Sequence, residues 1–496
     1  MNRRRLLAVS AALAVGGIAG CVGDGPGDNG GSTTPAGPLP DVDDETLATT
    51  IRNANGFTFD LFDRLAHAAD EDGAPNLFAS PLSVSTALAM TYAGARGVTR
   101  EEMRAALRFD LGDAGTAEGA GTDGNDSNDG DDSDGSDDGD DGHDGNEDGG
   151  TDVPNEALHG AIAELLSRLN ERGEAIDPED LPSAYDEEDD PVPFELSIVN
   201  AIWGQEGYPF REEYLDLLET FYGTGLREVD YVSDADGARE EINEWVAGQT
   251  EDRIDELLPQ GALDELTRLV LTNAIYFQAN WAEPFEEQAT ETGVFTTLED
   301  QSVEVPMMRH AEISVPYTET DLSGGEVAAV ELPYVGDDVS MLVVLPEEGS
   351  FEAVADSFDG DNLATILEEL DRREGRVELP RFEFESGFQL RPALEELGMV
   401  EAFDPDQADL TGMYDPDDPA AGGENLFVDD VYHDSYVAVD EEGTEAAAAT
   451  AVVVSADSAP ADPFEFVADR PFLFLIRDRP TDALLFYGRV GDPTAE

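Results

Sequence analysis

Apolar residues begin to recur at helical spacing near Asp44, and residues 46–110 read as mainly helical, with one helix opening at Pro81 directly after Ser80. Further along the period shortens. Leu196 to Trp203 is a buried-strand run, Arg211 to Tyr222 predicts a helix, and Asp236 to Leu258 predicts a longer one with Ile242, Trp245, Val246 and Ile254 on one face. Leu269 to Phe277, Val339 to Leu345 and Val377 to Phe384 predict strands. Leu473 to Val490 predicts two strands joined by a turn at Asp478-Arg479-Pro480. Strands and helices are interspersed without a strict βαβ rhythm, which points to an α+β fold rather than a doubly wound sheet. No internal repeat is visible.

Three stretches lie outside this pattern. Met1-Asn2-Arg3-Arg4-Arg5 precedes an uncharged apolar run from Leu6 to Ala19, too short for a spanning helix and flanked as in a signal peptide. The adjacent arginines resemble the signal that exports prefolded proteins, and Ile18-Ala19-Gly20-Cys21 resembles a lipobox, in which cleavage precedes a lipidated cysteine. The expectation is a leader over residues 1–20, a lipid anchor at Cys21 and a flexible tether to residue 45, placing the protein at the cell surface, outside the cell. A domain over 46–494 then carries two acidic insertions, near 111–154 and 171–193. In the first, 13 of the 26 residues from Asp123 to Asp148 are acidic and most others are Gly, Ser or Asn, a composition that cannot bury enough apolar surface to order itself. Carboxylates spaced this way could also ligate calcium, but the EF-hand pattern with its closing glutamate is missing.

Charge narrows the partners. The 496 residues hold 113 Asp plus Glu against 26 Lys plus Arg, a formal net charge of −87, and no lysine occurs. A polyanion gains no counterion release from nucleic acid, and an anionic membrane surface repels it, so membrane contact is expected only through the lipid at Cys21. Self-repulsion on this scale suits concentrated salt, where the Debye length falls to about 3 Å at 1 M. The single cysteine excludes an intrachain disulfide.

Catalytic signals are weak. There is no P-loop, no G-x-G-x-x-G after a strand, no G-x-S-x-G elbow and no H-E-x-x-H. His67, His143, His159, His310 and His433 share no metal-ligand spacing, so no metal or other cofactor is expected. Carboxylate pairs carry no information in so acidic a chain.

One segment asks for a physical explanation. From Asp440 to Val454 the chain begins acidic, becomes small-sided and ends β-branched. Four alanines would suit a surface helix, but Gly443 before them and the valines after them suit a strand better. At a period of two, Thr444, Ala446, Ala448, Thr450, Val452 and Val454 share one uncharged face, and Glu445 falls on the other. No proline interrupts the run, so it could enter the middle of a sheet. At roughly 0.5–1.5 kcal/mol per backbone hydrogen bond, a dozen residues paired on both sides would release on the order of 10 kcal/mol. A loop able to become a strand is a store of free energy.

With that segment in view, the chain resembles a serpin from about Thr46 to Pro493, the acidic insertions apart. Asn76-Leu77-Phe78-Ala79-Ser80-Pro81-Leu82-Ser83 is similar to the family's shutter helix. Asn273 to Phe277 with Trp281 and Pro284-Phe285 resembles the third strand of the central sheet and its breach. Val305-Pro306-Met307-Met308, Leu379-Pro380-Arg381-Phe382, Leu397-Gly398-Met399, Phe466 to Phe474 and Phe486 to Val490 are further family-like strings, in the family's order.

The resemblance implies three β-sheets, eight or nine helices and an exposed reactive-centre loop that a serine or, in some members, cysteine protease attacks. The cut loop inserts into the central sheet and traps the acyl-enzyme, so the protein is consumed one for one and is not a catalyst. Glu441, Gly443, Thr444 and Ala446, Ala447, Ala448 and Ala449 match the inhibitory hinge. Ser80, Ser83, Asn273 and His433 match the shutter, with a static buried network as the plainer alternative; Trp281 matches the breach tryptophan, with simple core packing as its alternative. Family spacing from the hinge puts the cleaved bond at Asp457-Ser458, with Ala456-Asp457 next, whereas counting back from Pro471 gives Pro460-Ala461. The small, valine-rich approach without arginine suits a subtilisin-like or elastase-like protease. The expected inhibitor is a monomer; the competing reading is a non-inhibitory serpin-fold binding or structural protein at the cell surface.

Overall fold

The computed structural model describes residues 42–111, 156–174, 194–250, 252–423, 425–444 and 463–495. Helix α1 (Asp44–Asp72) starts where its sequence places a cap: the Asp43 carboxylate accepts the amides of Glu45 and Thr46, and Gly73 closes the other end in the left-handed region at φ 75°. Strand β1 (Leu77–Ala79), three residues within a stretch expected to be helical, leads into α2 (Pro81–Gly94). Ser80 caps α2 and Pro81 occupies its first turn; every residue of this helix is buried, as its apolar sides all round require. Helices α3 (Gly97–Ala106) and α4 (Glu156–Glu174) follow, the latter running into the start of the second acidic stretch.

A six-stranded sheet holds the chemistry. Its members are β2 (Phe194–Gln205), β3 (Arg227–Val229), β4 (Leu269–Asn280), and the later strands β10 (Phe382–Gln389), β11 (Val431–Val439) and β12 (Gly443–Thr444), in the order β10-β11-β12-β4-β2-β3. Between β2 and β3 lies α5 (Glu212–Tyr222), and α6 (Tyr231–Gln249) crosses the outer face of the sheet. There Ile242 and Val246 of the helix pack in a small second core with Ala201, Trp203, Ala274 and Tyr432 of the strands. The opposite face meets α2 and the main core.

The remaining strands join into one ladder. Strands β5 (Glu291–Thr296), β6 (Ser302–Leu322), β7 (Gly325–Pro333), β8 (Val339–Pro346) and β9 (Asp371–Pro380), with α7 (Phe351–Ser357) and α8 (Gly360–Glu369) between the last two, precede β10 and α9 (Arg391–Glu396). Strands β13 (Phe464–Val467), β14 (Phe472–Asp478) and β15 (Ala483–Val490) end the chain. Two of the three expected sheets are thereby fused, because the 21-residue β6 pairs with β5 and β9 along its first part and with β7 along its last, bending at an irregularity between His310 and Ile313. Among the described residues there are nine α-helices.

Two expected elements differ. The long helix runs Tyr231–Gln249, not Asp236 to Leu258. It includes an earlier turn capped by Asp230 and kinks at Asp234, whose φ −151° and ψ 67° are not helical, so the regular helix begins close to the expected Asp236. It stops because the Thr250 hydroxyl bonds back to Val246 and the chain turns through Asp252 at φ 61°. Ile254 still reaches the second core, but from the following loop. The single strand expected from Val377 to Phe384 is two strands in different sheets, β9 and β10, separated at Arg381. The period of two does mark this break, since the apolar positions are odd before Arg381 (Val377, Leu379) and even after it (Phe382, Phe384).

Candidate functional site

Strands β4 and β11 run parallel and pair only from Leu271 to Ile275 and Val431 to Ser435. Above that they part, and β12 fills the gap: Val439 faces Thr444 on one side, while Gly443 and Thr444 face Asn280 and Ala279 on the other. Of the segment that the resemblance implies stands outside the sheet until cleavage, Gly443 and Thr444 already lie inside it. Gly443 is required by proximity rather than by its dihedrals, since a Cβ would come within 2.0 Å of the Ala279 carbonyl oxygen. Thr444 is 1% exposed and its hydroxyl lies 2.8 Å from that of Tyr334.

A corner of aromatic and charged groups holds this entry point. Trp281 stacks on Tyr334 at 4.6 Å between ring centroids, and its indole N–H donates to the Asp440 carbonyl at 3.0 Å. The backbone amides of Trp281 and Phe285 donate to the carbonyls of Glu442 and Glu441 at 2.8 and 2.7 Å. The Glu441 carboxylate is buried against Arg381, 2.6 Å away, and accepts the Thr290 hydroxyl. Burial by itself would raise its pKa; the bonds from Arg381 and Thr290 outweigh that and hold it below the usual range. Arg381 therefore serves twice, as the break between β9 and β10 and as the counterion of Glu441. Beside it His310, held by the Glu283 carbonyl at 2.9 Å and packed on Phe285, has its pKa lowered by burial.

Lower down, where β4 and β11 meet, Ser80, Ser83, Asn273 and His433 come together with no solvent exposure. The Ser80 amide donates to His433 Nε2 at 3.1 Å, so Nδ1 carries the proton and donates to Asn273 Oδ1. Asn273 in turn donates through Nδ2 to Ser83 Oγ and to Asn200 Oδ1. Burial pushes the imidazole down to about 4, the bond to Asn273 opposing it, so a neutral ring is built into the network. Asn200 belongs to this cluster and was hidden within an apolar strand run; a lone amide in the middle of such a run was the available signal. On the outer face of the same junction Asp434 sits buried near Glu385, and burial, reinforced by that neighbour's charge, raises it to about 8.

Cys21, Ala446, Ala447, Ala448, Ala449, Asp457 and Ser458 lie outside the described residues, as do the leader, most of the tether and most of both acidic insertions. Among the described residues, no group of three or more His, Cys, Asp or Glu side chains could hold a metal ion.

A family model described as "Serpin (serine protease inhibitor)" matches residues 52–493. The chain is 36% identical to the uncharacterized serpin-like protein TK1782 of Thermococcus kodakarensis, covering 99% of both. It is 33% identical to the leukocyte elastase inhibitor of Equus caballus over 88% of this chain and 97% of that one. A crystal structure of the thermophilic serpin tengpin in the native state superposes with a TM-score of 0.68 at 24% identity, covering 93% of this chain and 97% of that one.

Proposed function

The chain belongs to the serpin family, and we propose that it inhibits serine proteases as a suicide substrate whose cut loop completes the central sheet. The observation that carries this reading is the two-residue strand Gly443–Thr444, paired on both edges at the mouth of a gap between β4 and β11. Every residue from Ala446 to Ala449 that would follow it is small enough to enter, and Thr444 brings no charge to the buried position it occupies. Similarity to a leukocyte elastase inhibitor supports a protease partner, the small, valine-rich approach without arginine favours a subtilisin-like or elastase-like one, and family spacing from Gly443 favours attack at Asp457-Ser458. Consumed one for one, the protein acts as a stoichiometric trap rather than an enzyme. The leader and Cys21 support a lipid anchor outside the cell, and the net charge of −87 supports work in concentrated salt.

The test is incubation with secreted subtilisin-like proteases in molar salt, followed by a denaturing gel and mass spectrometry of the released C-terminal peptide. A complex that survives boiling in detergent, with a peptide beginning at Ser458, is expected. Complete cleavage with no such complex, across several proteases, would leave a non-inhibitory serpin-fold binding protein as the reading.

A further inference from the structure

Asp440 is the last residue before the hinge, and neither the breach ion pair nor the shutter uses its side chain. The chain leaving β11 there must reverse within four residues, because Val439 and Thr444 form the closing pair of an antiparallel ladder. Such a reversal turns the amides of Glu442 and Gly443 inward. One oxygen of the Asp440 carboxylate accepts both, at 2.9 and 3.2 Å, while the Asp440 amide donates to the Gly443 carbonyl at 3.0 Å. The Asp440 carbonyl is also held, by the Trp281 indole. A short side chain that bonds its own backbone two and three residues on is the local device that makes a turn without help from another strand.

We propose that Asp440 is a positioning residue for loop insertion: its side-chain oxygen templates the reversal from β11 to β12 and thereby sets the register in which the hinge enters the sheet. Register matters because the side-chain period is two; a slip of one residue would offer Glu445 to the core in place of Thr444. The side chain acts as an acceptor rather than as a charge. Its surroundings, with Glu441 and Arg381 as the neighbouring charged groups, raise its carboxyl above the ordinary value, chiefly through burial. An uncharged acceptor of the same reach should therefore serve as well, and a longer carboxylate should not.

The proposal rests on the inhibitory reading, and the experiment separates the two. The full chain is compared with Asp440→Asn, Asp440→Glu and Asp440→Ala. Three quantities are read: the stoichiometry of inhibition, the second-order rate of loop attack, and hydrogen exchange at the Glu442 and Gly443 amides of the uncut protein. Losing the shared acceptor should speed that exchange by about tenfold in the Glu and Ala variants. Their stoichiometry of inhibition should rise several-fold, since slower insertion lets deacylation win, while the rate of loop attack stays unchanged. Asp440→Asn should match the parent in all three. Parental stoichiometry in Asp440→Glu, or an Asp440→Asn as poor as Asp440→Ala, overturns the proposal. Should Asp440→Ala fail to fold, the Glu and Asn variants still decide. If the parent traps no protease, the inhibitory reading falls, and the exchange data alone uphold or overturn the turn-forming role.

Discussion

Thr444→Arg perturbs the hinge where the structure is most specific. The side chain is 1% exposed, shares a hydrogen bond with Tyr334 and lies between two strands. Losing the hydroxyl contact costs about 1 kcal/mol. Burying a guanidinium with no carboxylate partner costs several kcal/mol more, on the order of 3–5 in total. The few ladder bonds that hold Gly443 and Thr444 contribute about 2–4 kcal/mol, so they cannot retain an arginine and the hinge should leave the sheet in the uncut protein. After cleavage the arginine must pass the same point as the first step of insertion. A barrier raised by about 3–5 kcal/mol slows that step between a hundred- and several thousand-fold. Deacylation then precedes trapping, and the inhibitor becomes a substrate. The assay is the stoichiometry of inhibition with a protease the parent traps, alongside the yield of detergent-resistant complex. Thr444→Ala, which keeps a small side chain, should remain an inhibitor. If the arginine variant forms the covalent complex as fully as the parent, entry through the β4–β11 gap is not the trapping step and the reasoning fails.

Two further expectations concern pH. His433 titrates near 4 in the fold against an ordinary 6.5, so the unfolded chain binds more protons between those values and the ring's contribution is lost as pH falls through that window. Chemical denaturation of parent and His433→Gln should show a stability difference that shrinks from pH 7 to pH 4 by on the order of 3 kcal/mol; a difference constant with pH would contradict the neutral-ring network. Asp434 runs the opposite way. Raised to about 8 from an ordinary 3.8, it keeps its proton in the fold while the unfolded chain loses it, so stability declines as pH rises through that window. Asp434→Asn should be more stable than the parent by a margin that grows, to a few kcal/mol, between pH 5 and pH 8; melting curves with an equal margin at both would refute it.

How much of this was legible in the sequence depended on whether the cause was local. The starts near Asp44 and at Ser80-Pro81 were legible because capping is settled within a few residues, whereas the end of α1 at Gly73 was signalled just as locally and went unread. The alternation of small residues after Gly443 marks a potential strand for the same reason. The phase shift at Arg381 was legible, but not that its two halves join different sheets, because their partners, β6 and β13 for β9 and β11 for β10, are brought from distant parts of the chain. Asn200 and Tyr334 were missed on similar grounds: each acts through partners brought by other strands, Asn273 and Thr444. The docking of Gly443 and Thr444 in the uncut chain follows from how far β4 and β11 stay paired, a tertiary quantity with no signature in either strand.

The two ladders that grip β12 also say where the rest of the loop would go. Counted along β11 from the pair Val439 and Thr444, or along β4 from the pair Ala279 and Thr444, the same residue arrives level with both His433 and Asn273, and it is Thr450. The agreement is not automatic, since the two registers are set by separate strands. In an inserted strand, parity would put Thr450 on the same face as Thr444, toward the cluster of Ser83, Asn273 and His433. Insertion must separate His433 from Asn273, leaving a ring N–H and an amide oxygen buried without each other, at a cost of about 1–3 kcal/mol if nothing replaces the bond. A hydroxyl at that level can accept from one and donate to the other; an alkyl group cannot. Thr450→Val keeps the shape and removes the hydroxyl, so nicking in the loop should raise the melting temperature less in the variant than in the parent, with the uncut proteins melting alike. An equal gain in both would mean that the loop enters in another register, or does not enter as far as the shutter.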